Sequence, residues 1–204
     1  MHNAILDMKP LFLGSHPAMD FLNTSLAPKG TPIELIGEGA AFVAWLVSAG
    51  LLDASSATML KRRCSTEALD AAAAEARRIR QWAGDWISRW RDAPGGNYEM
   101  EIRRLNGVLE RASCYREVVV AKDGLRVMER CRIDSVDELI ALVAMQVALL
   151  VTTEQPALVK RCAGPACTLW FLDRTKAHRR LFCSAAVCGN RAKVTAFRER
   201  QRAA

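Results

Sequence analysis

The chain has 204 residues, half of them apolar, and a formal net charge of +7. This length and composition fit one packed domain with room for a small module, and they exclude an intrinsically disordered chain. Residues 160–204 hold 11 Lys/Arg against 2 Asp/Glu, whereas residues 1–159 hold 18 against 20. A basic tail on a near-neutral body predicts a polyanion as the partner of the tail.

Two long apolar runs occur, at residues 40–52 and 139–151. Both are shorter than the ~20 residues that span a bilayer, so the sequence predicts two buried core helices. The first residues do not combine a basic leader with an apolar stretch, which predicts no secretory signal. We therefore expect a cytoplasmic protein with no membrane partner.

The first 65 residues alternate between loops and short elements. Four prolines predict looped or extended backbone over residues 10–32, with a short strand or helical turn at 20–26. Apolar residues at helical spacing predict a helix over residues 33–52. A second, short helix follows, with Ser55 or Ser56 as its predicted N-cap.

The strongest predicted helix covers residues 66–92, because its apolar side chains recur on one face from Leu69 to Trp90. Thr66 is its predicted N-cap, and Pro94-Gly95-Gly96 ends it. Residues 97–112 form the next predicted helix. Its predicted inward residues are Met100, Leu105, Val108 and Leu109.

A β-hairpin is predicted next, because Asp123-Gly124 is a strong two-residue turn signal between two β-prone runs. That turn would place Val120 opposite Val127. It would also gather five side chains on one face of the hairpin, namely Val118, Val120, Leu125, Val127 and Cys131.

Ser135 then begins an apolar helix, and Glu138 completes a capping box. The helix is predicted to end near Thr153, where Glu154-Gln155-Pro156 breaks it. We place the domain boundary there. The predicted domains are a helical sensor or dimerisation domain over residues 1–155 and a metal-binding module over residues 156–204.

Seven cysteines occur, and four of them form two C-x4-C pairs in the tail. In a reducing compartment this spacing favours a metal over disulfides, and four thiolates are a common ligand set of structural zinc. Redox-active thiols or an iron–sulfur cluster are the alternatives. The sequence predicts one structural zinc per chain, without an open position for water, and His178 as an exposed loop residue. The four predicted ligands are Cys162, Cys167, Cys183 and Cys188. The other cysteines, Cys64, Cys114 and Cys131, are predicted to be buried thiols.

The tail has the order of a small zinc finger. Gly164-Pro165 supplies a turn between the first two ligands, and residues 168–172 and 179–182 are predicted to pair as a short hairpin. A helix capped by Ser184 would carry the last ligand. Gly189 indicates either that this helix starts only at Asn190 or that the backbone needs a close approach there. The predicted fold class is α+β: a mainly helical N-terminal domain with one β-hairpin, plus a C-terminal treble-clef-like zinc finger.

The motifs resemble a known bacterial family. Residues 161–200 resemble the CGNR zinc finger of bacterial transcription regulators, named after the Cys-Gly-Asn-Arg present here at 188–191. Residues 16–24, HPAMDFLNT, resemble the opening of the ABATE domain of stress-induced transcription regulators. The resemblance implies the same four zinc ligands, and it matches Phe171 and Asp173 to the family's Phe-x-Asp. Phe182 departs from the family's usual Trp.

The last helix is predicted to carry the function. Arg191, Thr195, Arg198 and Arg202 share one face, which predicts contacts to phosphates or guanine edges. Val187, Val194 and Phe197 are predicted to form a neighbouring apolar face that packs on the module's hairpin. The candidate nucleic-acid-binding residues are Arg174, Lys176, Arg179, Arg180, Arg191, Lys193, Arg198 and Arg202.

These features predict a DNA-binding transcription regulator. The alternative is an RNA-binding or protein-interaction module, and RNA binding would require Trp170 and Phe171 to be exposed for stacking rather than packed. The sequence offers no nucleophile, phosphate loop or open metal site, so we do not expect an enzyme. A homodimer and an unknown small-molecule effector are further expectations. The candidate ligand-binding residues are His16, Asp20, Asn23 and Thr24, for which turn and capping roles are the alternative.

Overall fold

The computed structural model describes residues 12–27 and 31–203. The α-helices in these ranges are α1 (Pro17–Leu22), α2 (Gly39–Ser48), α3 (Ala54–Arg63), α4 (Thr66–Asp92), α5 (Glu99–Leu109), α6 (Val136–Thr153) and α7 (Asn190–Ala203). The strands form three antiparallel pairs: β1 (Ser25–Leu26) with β2 (Ile33–Glu34), β3 (Ser113–Ala121) with β4 (Gly124–Arg132), and β5 (Val159–Arg161) with β6 (Trp170–Leu172). The predicted α+β class is confirmed.

Helices α4 and α6 form the centre of the main core, with α1, α2 and α5 packed around them. The stripe predicted for α4 is confirmed, because its members from Leu69 to Trp90 are buried. In α6 the capping box of Ser135 and Glu138 is present. By length and composition alone α6 could cross a membrane, but one of its faces, which includes Leu139 and Val143, is buried in this core.

Two predicted helix starts were displaced by one or a few residues. Ser65, not Thr66, caps α4, and Asp53 rather than a serine caps α3. The predicted helix over 33–52 is wrong at its beginning, since Ile33–Glu34 pairs with Ser25–Leu26 instead. Helix α2 starts only at Gly39, where its amide donates to Asp70 Oδ1 at 2.7 Å.

The region of residues 10–32 contains more helix than predicted. His16 caps α1 through its ring nitrogen, and Pro17 occupies the first helical turn, where its missing N–H costs nothing. The prolines at positions 10 and 28 lie outside the described residues.

On α5, Leu105 and Val108 are buried as predicted, but Met100 is 71% exposed. The helix begins at Glu99 instead of 97, so Met100 lies in its first turn, beyond the edge of the core.

The β3–β4 hairpin is an exposed arm. Val120 pairs with Leu125 and Val118 with Val127, so the predicted pairing of Val120 with Val127 is wrong by two residues. Gly124 belongs to β4 with a φ of +123°, and Lys122-Asp123 makes the turn. A two-residue shift keeps each side chain on its predicted face, but that face is exposed rather than packed.

The two halves of the chain share one core. Val159, Trp170 and Leu172 belong to the same buried cluster as α1, α4 and α6. Asn23 Nδ2 donates to the Trp170 carbonyl at 2.9 Å, and its Oδ1 accepts from the Trp170 amide at 2.8 Å. Independent folding of residues 1–155 stays a prediction, and the shared core leads us to expect such a fragment to be less stable than the full chain.

Candidate metal centre and nucleic-acid interface

The first pair of cysteines is held by a tight turn. The Cys162 amide donates to the Leu169 carbonyl at 2.9 Å, and the Cys167 amide donates to the Gly164 carbonyl at 3.0 Å. Ala166 takes a φ of +59° inside this turn. The amides of Gly164 and Cys183 point at Cys162 Sγ, at 3.4 and 3.3 Å, as donors to a thiolate.

The second pair follows from a capped turn. The Ser184 hydroxyl accepts from the Val187 amide, and residues 185–189 form one π-helical turn before α7. This turn carries Cys188 to the other three cysteines, and all four Sγ atoms lie within 4.8 Å of one another.

The four thiols fit a tetrahedral zinc ion. The Sγ–Sγ distance is 3.8 Å between Cys167 and Cys183 and 3.6 Å between Cys183 and Cys188. Zn–S bonds of about 2.3 Å in a tetrahedron require about 3.8 Å between sulfurs. Three of the four ligands are buried, so the site is closed and structural. The predicted zinc site is confirmed.

Gly164 and Gly189 both lie near the metal site but differ in how much space a side chain would have. A Cβ on Gly164 would lie 3.2 Å from Cys188 Sγ and 3.4 Å from Cys162 Sγ, so it would be in tight contact with two ligands. A Cβ on Gly189 would meet its nearest neighbour, Phe182, at 3.6 Å, which is ordinary contact. The close-approach explanation for Gly189 therefore has no support from its neighbours within the protein, and Gly189 ends the π-helical turn that continues directly into α7 at Asn190.

Asp173 organises the loop between the two pairs. It is fully buried and accepts hydrogen bonds from Lys160, Thr175 and the Arg180 amide. Burial by itself would raise the pKa of Asp173, but these donors outweigh it and hold the pKa well below its usual range. Residues 179–182 do not form the predicted strand. The Arg180 amide donates to the Asp173 side chain, and β6 pairs with β5 instead.

Arg180 is part of the same framework. Its guanidinium donates to the carbonyls of Leu13, Phe182 and Cys183 and lies over the Phe171 ring. These contacts hold the N-terminal segment against the module. A nucleic-acid contact by Arg180 stays a prediction, and this geometry does not favour it.

Trp170 and Phe171 are buried, with 6% and 0% of their surfaces exposed. The packing alternative is therefore confirmed for both rings. Phe171 lies in a second small cluster with the zinc ligands and Leu26, and Trp170 in the main core. His178 is exposed in the loop, as predicted, with a φ of +50°.

Helix α7 extends from the module and is exposed on nearly all sides. The prediction that its apolar residues pack on the module's hairpin is wrong, since Val194 and Phe197 are 48% and 56% exposed. Phe171 of β6 packs instead against Leu26 and its neighbours Leu13, Ile33 and Leu35, whereas Trp170 and Leu172 belong to the main core.

The other candidate basic residues are exposed. Arg174 pairs with Glu154 at 2.6 Å. Within residues 12–27 and 31–203, the remaining six form no ion pair: Lys176, Arg179, Arg191, Lys193, Arg198 and Arg202. Four of these six lie along α7, so the structure brings them together on one projecting element.

The four candidate ligand-binding residues near the N-terminus all bond within the protein. His16 caps α1, Asp20 Oδ1 accepts from the Gly14 amide at 2.7 Å, and Asn23 holds Trp170. Thr24 Oγ1 donates to the Phe21 carbonyl and accepts from Arg80. Ligand binding by these residues stays a prediction, and their contacts favour capping and packing.

Sequence reasoning missed two features of the other cysteines. Cys114 and Cys131 are exposed and Cys64 is half-buried, so the prediction of three buried thiols is wrong. Cys114 lies directly opposite Cys131 across the hairpin. If the turn had been predicted at Lys122-Asp123, the resulting strand register would have placed Cys114 opposite Cys131.

Comparison with protein families agrees with this architecture. The family model of the CGNR zinc finger matches residues 159–201. The family model of the ABATE domain, described as "Putative stress-induced transcription regulator", matches residues 15–154. No curated protein sequence matches the chain.

Proposed function

Because the chain belongs to the ABATE family and ends in a CGNR zinc finger, we propose that it is a bacterial transcription regulator that binds duplex DNA through α7. The observation that carries this proposal is the unpaired basic surface of α7, in a segment with 11 Lys/Arg against 2 Asp/Glu. The zinc module anchors the start of this helix, and among the described residues no other helix or strand covers its length.

The dimensions of α7 suit the major groove. Its 14 residues make a rod about 21 Å long, and the major groove of B-DNA, about 12 Å wide, admits an α-helix. Arg198 and Arg202 lie toward the free end of the helix and are proposed phosphate contacts. Arg191 adjoins Cys188 and is a base reader or a brace of the zinc turn.

The test is duplex binding over a salt series with Arg198→Ala, Arg202→Ala and the double variant. Each lost phosphate contact should lower the log–log salt slope by about one unit, because fewer counterions are released. Zinc content and helicity are checked in each protein.

A matched control is the double variant Arg103→Ala/Arg126→Ala, which removes the same charge from exposed sites on α5 and β4. It should leave the slope almost unchanged. Folded, zinc-loaded Arg198→Ala/Arg202→Ala protein with wild-type affinity and slope would refute the α7 interface.

A protein partner is the second candidate, and exposed Val187, Val194 and Phe197 favour it. RNA binding by base stacking has less support, since Trp170 and Phe171 are buried. If α7 contacts a protein, Phe197→Ser should weaken that complex, whereas removal of the two arginines should have a smaller effect on it.

We also propose that the protein is not an enzyme and works in the cytoplasm. His16 and Asp20, the titratable residues among the four candidate ligand-binding residues, bond to main-chain amides, and the zinc ligands leave no open position. The seven cysteines form no disulfide with one another, and four of them are zinc ligands, which suits a reducing compartment. Homodimerisation and a small-molecule effector stay predictions.

A further inference from the structure

The pair Cys114 and Cys131 has no part in the zinc site or the proposed DNA interface. The two residues are cross-strand partners at the base of the β3–β4 hairpin, and their Sγ atoms are 2.9 Å apart. Both are exposed. Cys64, by contrast, is half-buried, and the other four cysteines hold zinc.

The geometry of this pair is that of a disulfide before bond formation. Directly opposed residues of an antiparallel pair have Cα atoms about 4.5 or 5.5 Å apart, and both values lie in the range that a disulfide spans. The sulfurs need to approach by roughly 0.9 Å to reach bonding distance. A rotation of the side chains supplies such a movement without a change of register.

We propose that Cys114 and Cys131 form a reversible thiol–disulfide site that is oxidised by low-molecular-weight disulfides. The disulfide would connect β3 to β4 at the base of the hairpin, where the two strands join α5 and α6. The site is independent of the proposed DNA binding and of zinc.

The reaction balances in two exchanges. The Cys114 thiolate attacks one sulfur of the small disulfide, a mixed disulfide forms, and one small thiolate leaves and takes up a proton. Cys131 then loses its proton and attacks Cys114 Sγ, the protein S–S bond forms, and the second small thiol leaves. The protein loses two electrons and two protons, and the small disulfide becomes two thiols.

The surroundings support this order of attack. Partial burial, the neighbouring Cys114 thiol and Glu129 raise the pKa of Cys131 to about 11, so its thiol stays protonated and Cys114 attacks first. Cys114 is exposed to small molecules from solvent, and a cavity of about 240 Å³, lined also by Leu142 and Gln146, lies beside Cys131.

Ring closure has a structural effect. The β3 and β4 side chains are almost all exposed, and a two-stranded hairpin without such packing is marginally stable. A bond between positions 114 and 131 encloses the whole arm and removes its open conformations. Amides of residues 115–130 should therefore exchange with deuterium more slowly after oxidation.

The test uses the full-length zinc-loaded protein in mixtures of reduced and oxidised glutathione. Denatured samples are alkylated, digested and weighed by mass spectrometry. We expect two fewer alkylatable thiols per chain, a linked peptide containing Cys114 and Cys131, unchanged zinc, and full reversal by dithiothreitol. Slower amide exchange confined to residues 115–130 is the second readout.

Matched variants separate the pair from the other thiols. Cys64→Ser should behave as wild type. Cys131→Ser should accumulate a glutathione adduct on Cys114, because no second thiol can displace it. The proposal is overturned if wild-type Cys114 and Cys131 stay alkylatable under excess oxidised glutathione, if both collect separate adducts, or if they link only between chains.

Discussion

At the scale of single residues, buried and half-buried polar side chains connect the zinc module to the rest of the chain. Asn23 and Arg180 bond to backbone atoms of segments distant in sequence, and Asp173 accepts from the Arg180 amide within the loop between the two cysteine pairs. Such bonds carry a penalty when one partner is removed, because a buried donor or acceptor is left unsatisfied. Loop geometry around the zinc therefore depends on side chains outside the ligand set.

Gly164 should be the most restrictive residue of the zinc turn. We expect Gly164→Ala to weaken zinc affinity by about tenfold or more, because its Cβ would press on two ligands that cannot yield while they hold the metal. Gly189→Ala should keep wild-type affinity. Competition with a chromogenic chelator measures both, and equal affinities would contradict the steric explanation.

Asp20 should make stability depend on pH. Burial raises its pKa to about 6 from an unfolded value of 3.8, so its stabilising effect is present below pH 3.8 and is lost as pH rises through 6. Asparagine carries no charge, so Asp20→Asn should gain about 1 kcal/mol relative to wild type between pH 5 and pH 7.5.

Urea unfolding at both pH values measures this difference. Asp85→Asn, at an exposed position of α4, is the control and should show little change with pH. A difference between Asp20→Asn and wild type that is constant with pH would show that the Asp20 carboxyl does not titrate abnormally.

At the scale of elements, packing separates the helices of the core from those at the surface. Helices α4 and α6 bury a continuous apolar face, whereas α7 and the β3–β4 hairpin are exposed along their lengths. Isolated short helices and hairpins are marginal in water. The two exposed elements are therefore the ones that a partner or a covalent bond can stabilise most.

The contact of α2 with α4 should not tolerate an added methyl group. A Cβ on Gly39 would lie 2.4 Å from Leu69 atoms, so Gly39→Ala should destabilise the protein by about 1–3 kcal/mol. Gly107 on α5 has nothing within 4 Å, and Gly107→Ala should stabilise by up to about 1 kcal/mol. Thermal unfolding measures both changes in stability. If the two variants were both stabilised or both destabilised, the steric explanation for Gly39 would be refuted.

At the scale of the whole molecule, the N-terminal segment joins the helical core to the zinc module. Residues 13–27 pack on both, through Leu26 on the zinc side and Met19 on the core side. Zinc binding and the fold of the first domain should therefore be coupled, although the family matches divide the chain between residues 154 and 159.

Asn23→Ala tests this coupling. It leaves the buried amide and carbonyl of Trp170 unpaired, at a cost of about 1–3 kcal/mol for each group. We expect lower resistance to urea together with faster zinc transfer to a chelator. Asn106→Ala, on the exposed side of α5, should change neither. Loss of stability with unchanged zinc transfer would show that the two halves are independent.

The sequence by itself determined what depends on local pattern. Ligand spacing identified the zinc site, the periodic stripe identified α4, and Ser135 with Glu138 identified the start of α6. Each of these signals lies within one continuous stretch of the sequence, so its pattern can be recognised without knowledge of contacts to other parts of the chain.

Only the tertiary structure decided what depends on contacts distant in sequence. The pairing of β5 with β6, the cover of Phe171 by residues near the N-terminus and the exposure of α7 all follow from which surface was already occupied. The partnership of Cys114 with Cys131 required the hairpin register, which the conformation of Gly124 moved by two residues. Whether a side chain is buried depends on which segments pack against it in the folded protein, so neighbouring residues alone do not determine it.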